Sequence, residues 1–258
     1  MRTTVVLNCK GGVAKSSTVI NMAAILACCC GKRVLITDGD SQGNTTEFFG
    51  GDPNNGNLAE VLRHEGDAGA FAVVNIQPSN FNGIDLLAAD DSLMDLDLTK
   101  VELGAAQAGV LRDMGKLLAE KDLYDYHLVD CPPAFNAAAV AALTAADDVI
   151  IPMKLDAFSI RGMANLIRQI SNMRKDNPRL KLAGLLPTMW YKSPKIEDAE
   201  ATLRASGLPV FPHIRYTKKV DDMTFNQEPL LASSPRCAAA VDYRRFVAEY
   251  LKGGAENG

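Results

Sequence analysis

Short runs rich in Val, Ile and Leu alternate along the chain with longer stretches of helical character. Thr3 to Leu7, Arg33 to Thr37, Ile84 to Ala88, Tyr126 to Val129, Val149 to Met153 and Leu182 to Leu186 read as strands. Several are nearly continuous apolar runs, as expected of parallel strands covered on both faces. Lys15 to Cys30, Val101 to Lys121, Phe135 to Ala145, Ser159 to Lys175, Ile196 to Ser206 and Ala238 to Leu251 read as helices. Gly31 is placed as a C′ glycine and Asn57, before Leu58-Ala59-Glu60, as an N-cap. This alternation predicts an α/β fold with a doubly wound, mostly parallel sheet flanked by helices. Ligands of such sheets bind beyond the carboxyl ends of the strands. No repeat or low-complexity linker interrupts the pattern, so one domain over residues 1–252 and a flexible tail over 253–258 are expected, with Gly50 to Gly56 as a surface turn.

Composition narrows the class. With 258 residues, 47% of them hydrophobic, and 27 basic against 31 acidic side chains, the chain is too balanced to be disordered or fibrous. Its net charge of −4 argues at first sight against a polyanionic partner, although binding depends on where charge sits. Cys9, Cys28, Cys29, Cys30, Cys131 and Cys237 form no C-x-x-C pair and are expected to be buried small hydrophobes in a reducing compartment. No apolar run approaches the ~20 residues of a membrane span. The amino terminus, with polar Asn8 close behind its first strand, does not read as a secretory signal.

The richest chemistry lies between the first strand and the first helix, in Asn8-Cys9-Lys10-Gly11-Gly12-Val13-Ala14-Lys15-Ser16-Ser17. Glycines there let backbone N–H groups turn toward a polyphosphate, Lys15 can reach its outer phosphates and Ser16 can ligate Mg²⁺. The segment fails the G-x-x-x-x-G-K-[ST] pattern at Cys9 and Ala14 and matches K-G-G-x-x-K-[ST], with an additional lysine at Lys10. Ala14 costs little if its dihedrals are helical and is strained if φ is positive.

This segment resembles the deviant Walker A motif of the ParA/MinD family of P-loop ATPases, especially the short, Soj-like ParA class. Val34 to Thr46 (VLITDGDSQGNTT) resembles the family's strand followed by D-x-D-P-Q-G-N-x-T, with Ser41 in place of Pro. Tyr124 to Pro133 resembles its Walker B strand, and Ala142 to Pro152 its next helix-to-strand passage; Gly50 to Leu98 matches least. The resemblance implies ATP and Mg²⁺ as cofactors, bound by Lys10, Gly11, Gly12, Val13, Ala14, Lys15, Ser16 and Ser17. It implies Ser16, Asp38 and Asp130 around the metal, Asp40 positioning the attacking water, and Pro187 and Met189 near the base. Strand alternation places Asp38 and Asp40 on one side. Lys10 is the family's signature lysine, which reaches across a nucleotide-sandwich homodimer to the partner's phosphates.

Charge is unevenly distributed. Between Arg161 and Lys219 twelve basic residues face four acids, a local +8 against −12 for the remainder. The resemblance makes this a surface for non-specific DNA, with Lys192, Lys195, Arg215, Lys218 and Lys219 as candidates and Arg244 and Arg245 in support. It further implies a separate ParB-like centromere-binding partner that stimulates hydrolysis, and a cytoplasmic protein that joins the nucleoid with ATP. The loop begins too near the amino terminus to leave room for a helix-turn-helix ahead of it. A MinD-like membrane-associated positioning ATPase is the nearest alternative, but Asp242 and Glu249 do not suit a basic membrane-binding face, so no stable membrane association is expected. A nucleotide-dependent scaffold with negligible turnover is a second. An electron carrier would want a convincing second cluster-ligating cysteine, and a tyrosine kinase a tyrosine-rich tail.

Overall fold

A computed structural model describes residues 1–98 and 105–255. Its strands are β1 (Arg2–Val6), β2 (Val34–Asp38), β3 (Gln77–Pro78), β4 (Ile84–Leu87), β5 (Tyr126–Asp130), β6 (Asp148–Lys154) and β7 (Lys181–Thr188). Its α-helices are α1 (Lys15–Cys30), α2 (Asn44–Phe48), α3 (Leu58–Arg63), α4 (Ala68–Val74), α5 (Leu93–Leu98), α6 (Ala105–Glu120), α7 (Ala137–Ala145), α8 (Ala157–Met173), α9 (Pro194–Ala205), α10 (Lys219–Asn226), α11 (Leu230–Ser233) and α12 (Ala238–Ala255). The strands form one sheet in the order β3-β4-β2-β5-β1-β6-β7, parallel throughout except for β3 against β4.

Both faces of the sheet are covered, which is why its strands are apolar without alternation. Val5, Leu7, Leu35 and Val129 enter one buried cluster with Leu62, Leu111, Met114 and Leu143 from α3, α6 and α7. The intervening Val6, Val34, Ile36 and Leu128 enter the other with Met22 and Leu26 from α1 and Tyr243 and Phe246 from α12. Each such side chain stabilises the fold by about 1.5–3 kcal/mol. A one-residue slip would exchange the two sets, so packing holds the register.

All six predicted strands are present, and the predicted caps operate. Gly31 is left-handed at φ 61, and Lys32 N–H donates to Leu26 O at 3.0 Å. The Asn57 side chain accepts from Glu60 N–H at 3.0 Å. Two expectations change. The last helix runs past Leu251 to Ala255, so Gly253 continues a helix, while 256–258 lie outside the described residues, as does Val101, the predicted start of α6. The cysteines are not uniformly buried: Cys131 is, but Cys9, Cys28 and Cys29 are exposed and Cys30 and Cys237 partly so. The buried stretch of α1 ends at Leu26, leaving its last turn at the surface.

One polar group is sealed within the sheet. His127 of β5 is fully buried; its Nε2 hydrogen-bonds Thr37 Oγ1 at 2.8 Å and its Nδ1 has no partner among the described residues. Desolvation pushes its pKa down to about 3, so the imidazole is neutral.

Candidate functional site

Central β1, flanked by β5 and β6, delivers the glycine loop to the carboxyl edge of the sheet. Asn8 anchors the loop on both sides: its Nδ2 donates to Pro152 O at 2.7 Å and its Oδ1 accepts Lys10 N–H at 2.9 Å. Val13 is buried, and its carbonyl accepts from Thr188 Oγ1 at 3.1 Å. A Cβ placed on Gly11 or Gly12 would meet nothing within 4 Å, so the open side of the loop has room for a ligand. Lys15, 7% exposed, opens α1 and donates from Nζ to Lys10 O at 3.3 Å. The first turn of α1 holds no acid, and its N-cap supplies no side-chain bond. The amide groups there suit an anion.

Ala14 takes the strained alternative, with φ 66 and ψ 36. A left-handed alanine costs about 1–2 kcal/mol, and glycine would return part of that gain through unfolded-chain entropy, about 0.4–1 kcal/mol. Ala14→Gly is therefore expected to raise the thermal midpoint by about 1–3 °C. A lowered midpoint in a thermal unfolding scan would contradict the strain.

Behind the loop, Asp38 and Asp130 end adjacent strands in direct register. Both are buried, which raises both carboxyl pKa values: Asp38 to about 7, through desolvation and then the Asp130 charge, and Asp130 to about 6. Thr45 and Ser16 hydroxyls and the Lys15 charge pull Asp130 back. Asp38 is fully committed to the chain: Oδ1 accepts Asp40 N–H at 3.1 Å, and Oδ2 accepts Thr46 N–H and Oγ1 at 2.8 and 2.9 Å. Asp130 is held less fully: Oδ2 accepts from Thr45 Oγ1 at 2.7 Å and the Ser16 hydroxyl stands close enough to lower its pKa, while buried Oδ1 has no partner in hydrogen-bond geometry among the described residues.

That orphaned oxygen and the Ser16 hydroxyl fit a hydrated divalent cation, which needs only one or two protein ligands when phosphates supply others. Asp38 accepts from the chain at both oxygens and so organises the turn beside that site. The strand ends at Asp38, so alternation does not extend to Asp40. Asp38 is sealed, whereas Asp40 is partly exposed at the rim, with Oδ1 accepting Gln42 N–H at 3.1 Å. Gly39 between them is tight: its N–H donates to Asp130 O at 2.8 Å, and an added Cβ would lie 3.0 Å from that oxygen.

Lys10 turns the other way. Its Nζ donates to both Asp156 carboxylate oxygens, at 2.9 and 2.8 Å, beyond the end of β6. Sequence reasoning missed Asp156, 146 residues distant. It also missed roles for Thr45 and Thr46, at the end of the Val34 to Thr46 segment.

A separate cavity beside the loop is lined by Ala14, Thr188, Met189, Ile214, Tyr216 and Thr217 among others. Two of its lining residues, Ala14 and Met189 (φ 52), are left-handed without being glycine; such strain gathers at ligand sites. Pro187 is not among its lining residues; it is fixed in β7, its carbonyl accepting Ile214 N–H at 2.8 Å.

The basic candidates divide. Arg215 is bound to buried Asp242 through Nε at 2.8 Å and Nη2 at 2.9 Å, and Lys219 to Asp222 at 2.8 Å. Arg244 donates to Pro235 O at 2.8 Å, and Arg245 is exposed. Lys192, Lys195 and Lys218 are exposed and make no ion pair among the described residues. The side chain of Arg161 lies outside the described residues.

A family profile described as AAA domain matches residues 1–182. The chain is 33% identical to the chromosome partitioning protein ParA of Caulobacter vibrioides over 97% of this chain and 94% of that one. It is 32% identical to the chromosome-partitioning ATPase Soj of Thermus thermophilus, over 95% and 93%. Among solved structures it resembles cobyrinic acid a,c-diamide synthase from Mycobacterium smegmatis with bound ATP analogue and magnesium: TM-score 0.80, 29% identity, covering 100% of this chain and 97% of that one.

Proposed function

Because the chain belongs to the ParA/MinD family of P-loop ATPases, we propose that it forms an ATP-sandwich dimer, binds DNA without sequence preference, and couples hydrolysis to partition of a plasmid, chromosome or mobile element. It is an ATP hydrolase, with ATP and Mg²⁺ as nucleotide and metal. No helix among the described residues is long and apolar enough to cross a membrane.

In this reading the base occupies the cavity at Met189 and Tyr216, and the phosphates lie on the open face of Gly11 and Gly12. Lys15, already folded into the loop, balances phosphate charge. Mg²⁺ supplies further neutralisation of the phosphate oxygens when bound, and Ser16 and Asp130 are the residues that would hold it. Asp40, at the exposed rim, orients the water and accepts its hydrogen bond.

The observation that carries the dimer is the divergence of the two loop lysines: Lys15 points back into its own loop and Lys10 outward to Asp156. A partly exposed lysine–carboxylate pair is worth on the order of 1 kcal/mol, so a dimer-borne triphosphate could displace it. Nucleoid association rests on Lys192, Lys195 and Lys218, joined in the dimer by their copies; Arg215 and Lys219 would first have to leave their acids. A ParB-like protein is the proposed stimulating partner.

Sedimentation and anisotropy test this together. With ATP, the wild type is expected to dimerise and to bind random duplex with a log–log salt slope of about −5 for six lysine–phosphate contacts. Lys10→Ala is expected to stay monomeric and lose binding, and Lys192→Ala/Lys195→Ala/Lys218→Ala to dimerise with a slope near zero. A Lys10→Ala dimer, or DNA binding indifferent to ATP, would refute the reading.

A further inference from the structure

Two threonines after β2 take no part in the chemistry above, yet they touch both buried carboxylates. Gly43, left-handed at φ 61, turns the chain into α2 so that Thr45 and Thr46 fall over the ends of β5 and β2. Both side chains are buried. Their bonds are not equivalent. Thr46 Oγ1 also accepts Ala89 N–H at 2.9 Å, completing a closed network around Asp38. Thr45 donates to a single oxygen of Asp130, and it is the other oxygen that has no partner in hydrogen-bond geometry among the described residues. A carboxylate can rotate to offer either oxygen; holding Oδ2 decides that Oδ1 is the one left available.

We propose that Thr45 is a positioning residue that fixes Asp130 for the metal site and, through the same bond, makes α2 respond to occupancy of that site. The inference rests on the ATP–Mg²⁺ reading of the loop. The response would reach the surface. Exposed Asn44 and Glu47 of α2 border a cleft shared with Ile20 of α1 and Phe225 of α10, and Gln227 Nε2 donates to Glu47 Oε1 across it at 3.3 Å. Phe225 is 88% exposed on its rim. A small change in the Thr45 bond would therefore alter a surface with an apolar anchor, whereas the Thr46 network holds the other end of the turn still.

The test is Mg²⁺ titration of the binding of a fluorescent ATP analogue to the full chain, with and without Thr45→Val and Thr45→Ser. Thr45→Val keeps the side-chain shape and removes the donor. It is expected to raise the Mg²⁺ midpoint about tenfold, the scale of one hydrogen bond to a charged group, while analogue binding in EDTA is unchanged. Thr45→Ser is expected to restore the wild-type midpoint. Hydrogen exchange supplies a measurement on the unmodified protein: Mg²⁺ with the analogue is expected to slow exchange in α2, an effect lost in Thr45→Val. A Thr45→Val midpoint equal to wild type, or wild-type α2 exchange indifferent to Mg²⁺, overturns the proposal. Failure of the wild type to bind the analogue with Mg²⁺ would instead overturn the nucleotide reading of the site.

Discussion

Asp40→Ala is expected to lower phosphate release at saturating ATP by about 100-fold or more while nucleotide binding persists. The magnitude is the lower end of what a positioned general base or water-orienting carboxylate contributes. The persistence follows from where the residue sits. Asp38 and Asp130 are buried beneath the loop and tied into α2, so replacing either disturbs the fold of the site. Asp40 is partly exposed, and among the described residues its side chain accepts only the Gln42 N–H, at 3.1 Å. Its backbone N–H, which completes the turn onto Asp38, survives substitution. Single-turnover phosphate release and equilibrium binding of a fluorescent analogue separate the two effects. Under the dimer reading, this variant should also accumulate on random duplex with ATP, because the state that hydrolysis dissolves would persist. Turnover within about tenfold of wild type would move the water-positioning role elsewhere; Thr45 and Thr46 could not take it, since both are buried behind the carboxylates.

The strands and the loop were legible because each is written in contiguous residues. Parallel strands such as Val34–Asp38 are buried on both faces and so carry an apolar run, and the glycine loop carries its own pattern. What escaped depends on partners distant in sequence or on elements too short for a period. β3 is two residues, Gln77–Pro78, paired only at the edge. Helices α3, α4 and α5 run six or seven residues, fewer than two turns, in the region that matched the family least. The pairing of Arg215 with Asp242 could not be inferred, and it ties a candidate DNA-contacting side chain to a buried acid. The unpartnered oxygen of Asp130 is likewise a property of packing: sequence placed the residue, but only the Thr45 bond distinguishes its two oxygens.

His127 gives the largest expected effect on stability. A histidine in the middle of an apolar strand passes for one polar residue in a run, but full burial makes it an acid-sensitive element. Its pKa is about 3 in the folded chain and about 6.5 unfolded. The folded state is therefore favoured fully above pH 6.5. As pH falls from there toward 3, the unfolded chain takes up a proton that the folded chain refuses, and stability is lost. Asp38 and Asp130 act in the opposite sense. Their folded values, about 7 and 6, lie above the ordinary carboxylate value, so the stability they contribute is complete below about pH 4 and lost as pH rises toward 7. The trends oppose one another between pH 4 and 6.5, two carboxylates against one ring, so the wild-type profile reports only their net slope and isolates neither. A difference measurement separates them. His127→Gln removes the titrating ring and leaves the carboxylates, so urea unfolding of nucleotide-free protein should give a wild-type stability that falls relative to the variant. The expected slope is about 1.4 kcal/mol per pH unit below 6.5, or about 3 kcal/mol by pH 4.5. Parallel profiles from pH 4 to 8 would mean that the ring accepts its proton in the folded chain, and that the Thr37 contact is not the sealed neutral pair described.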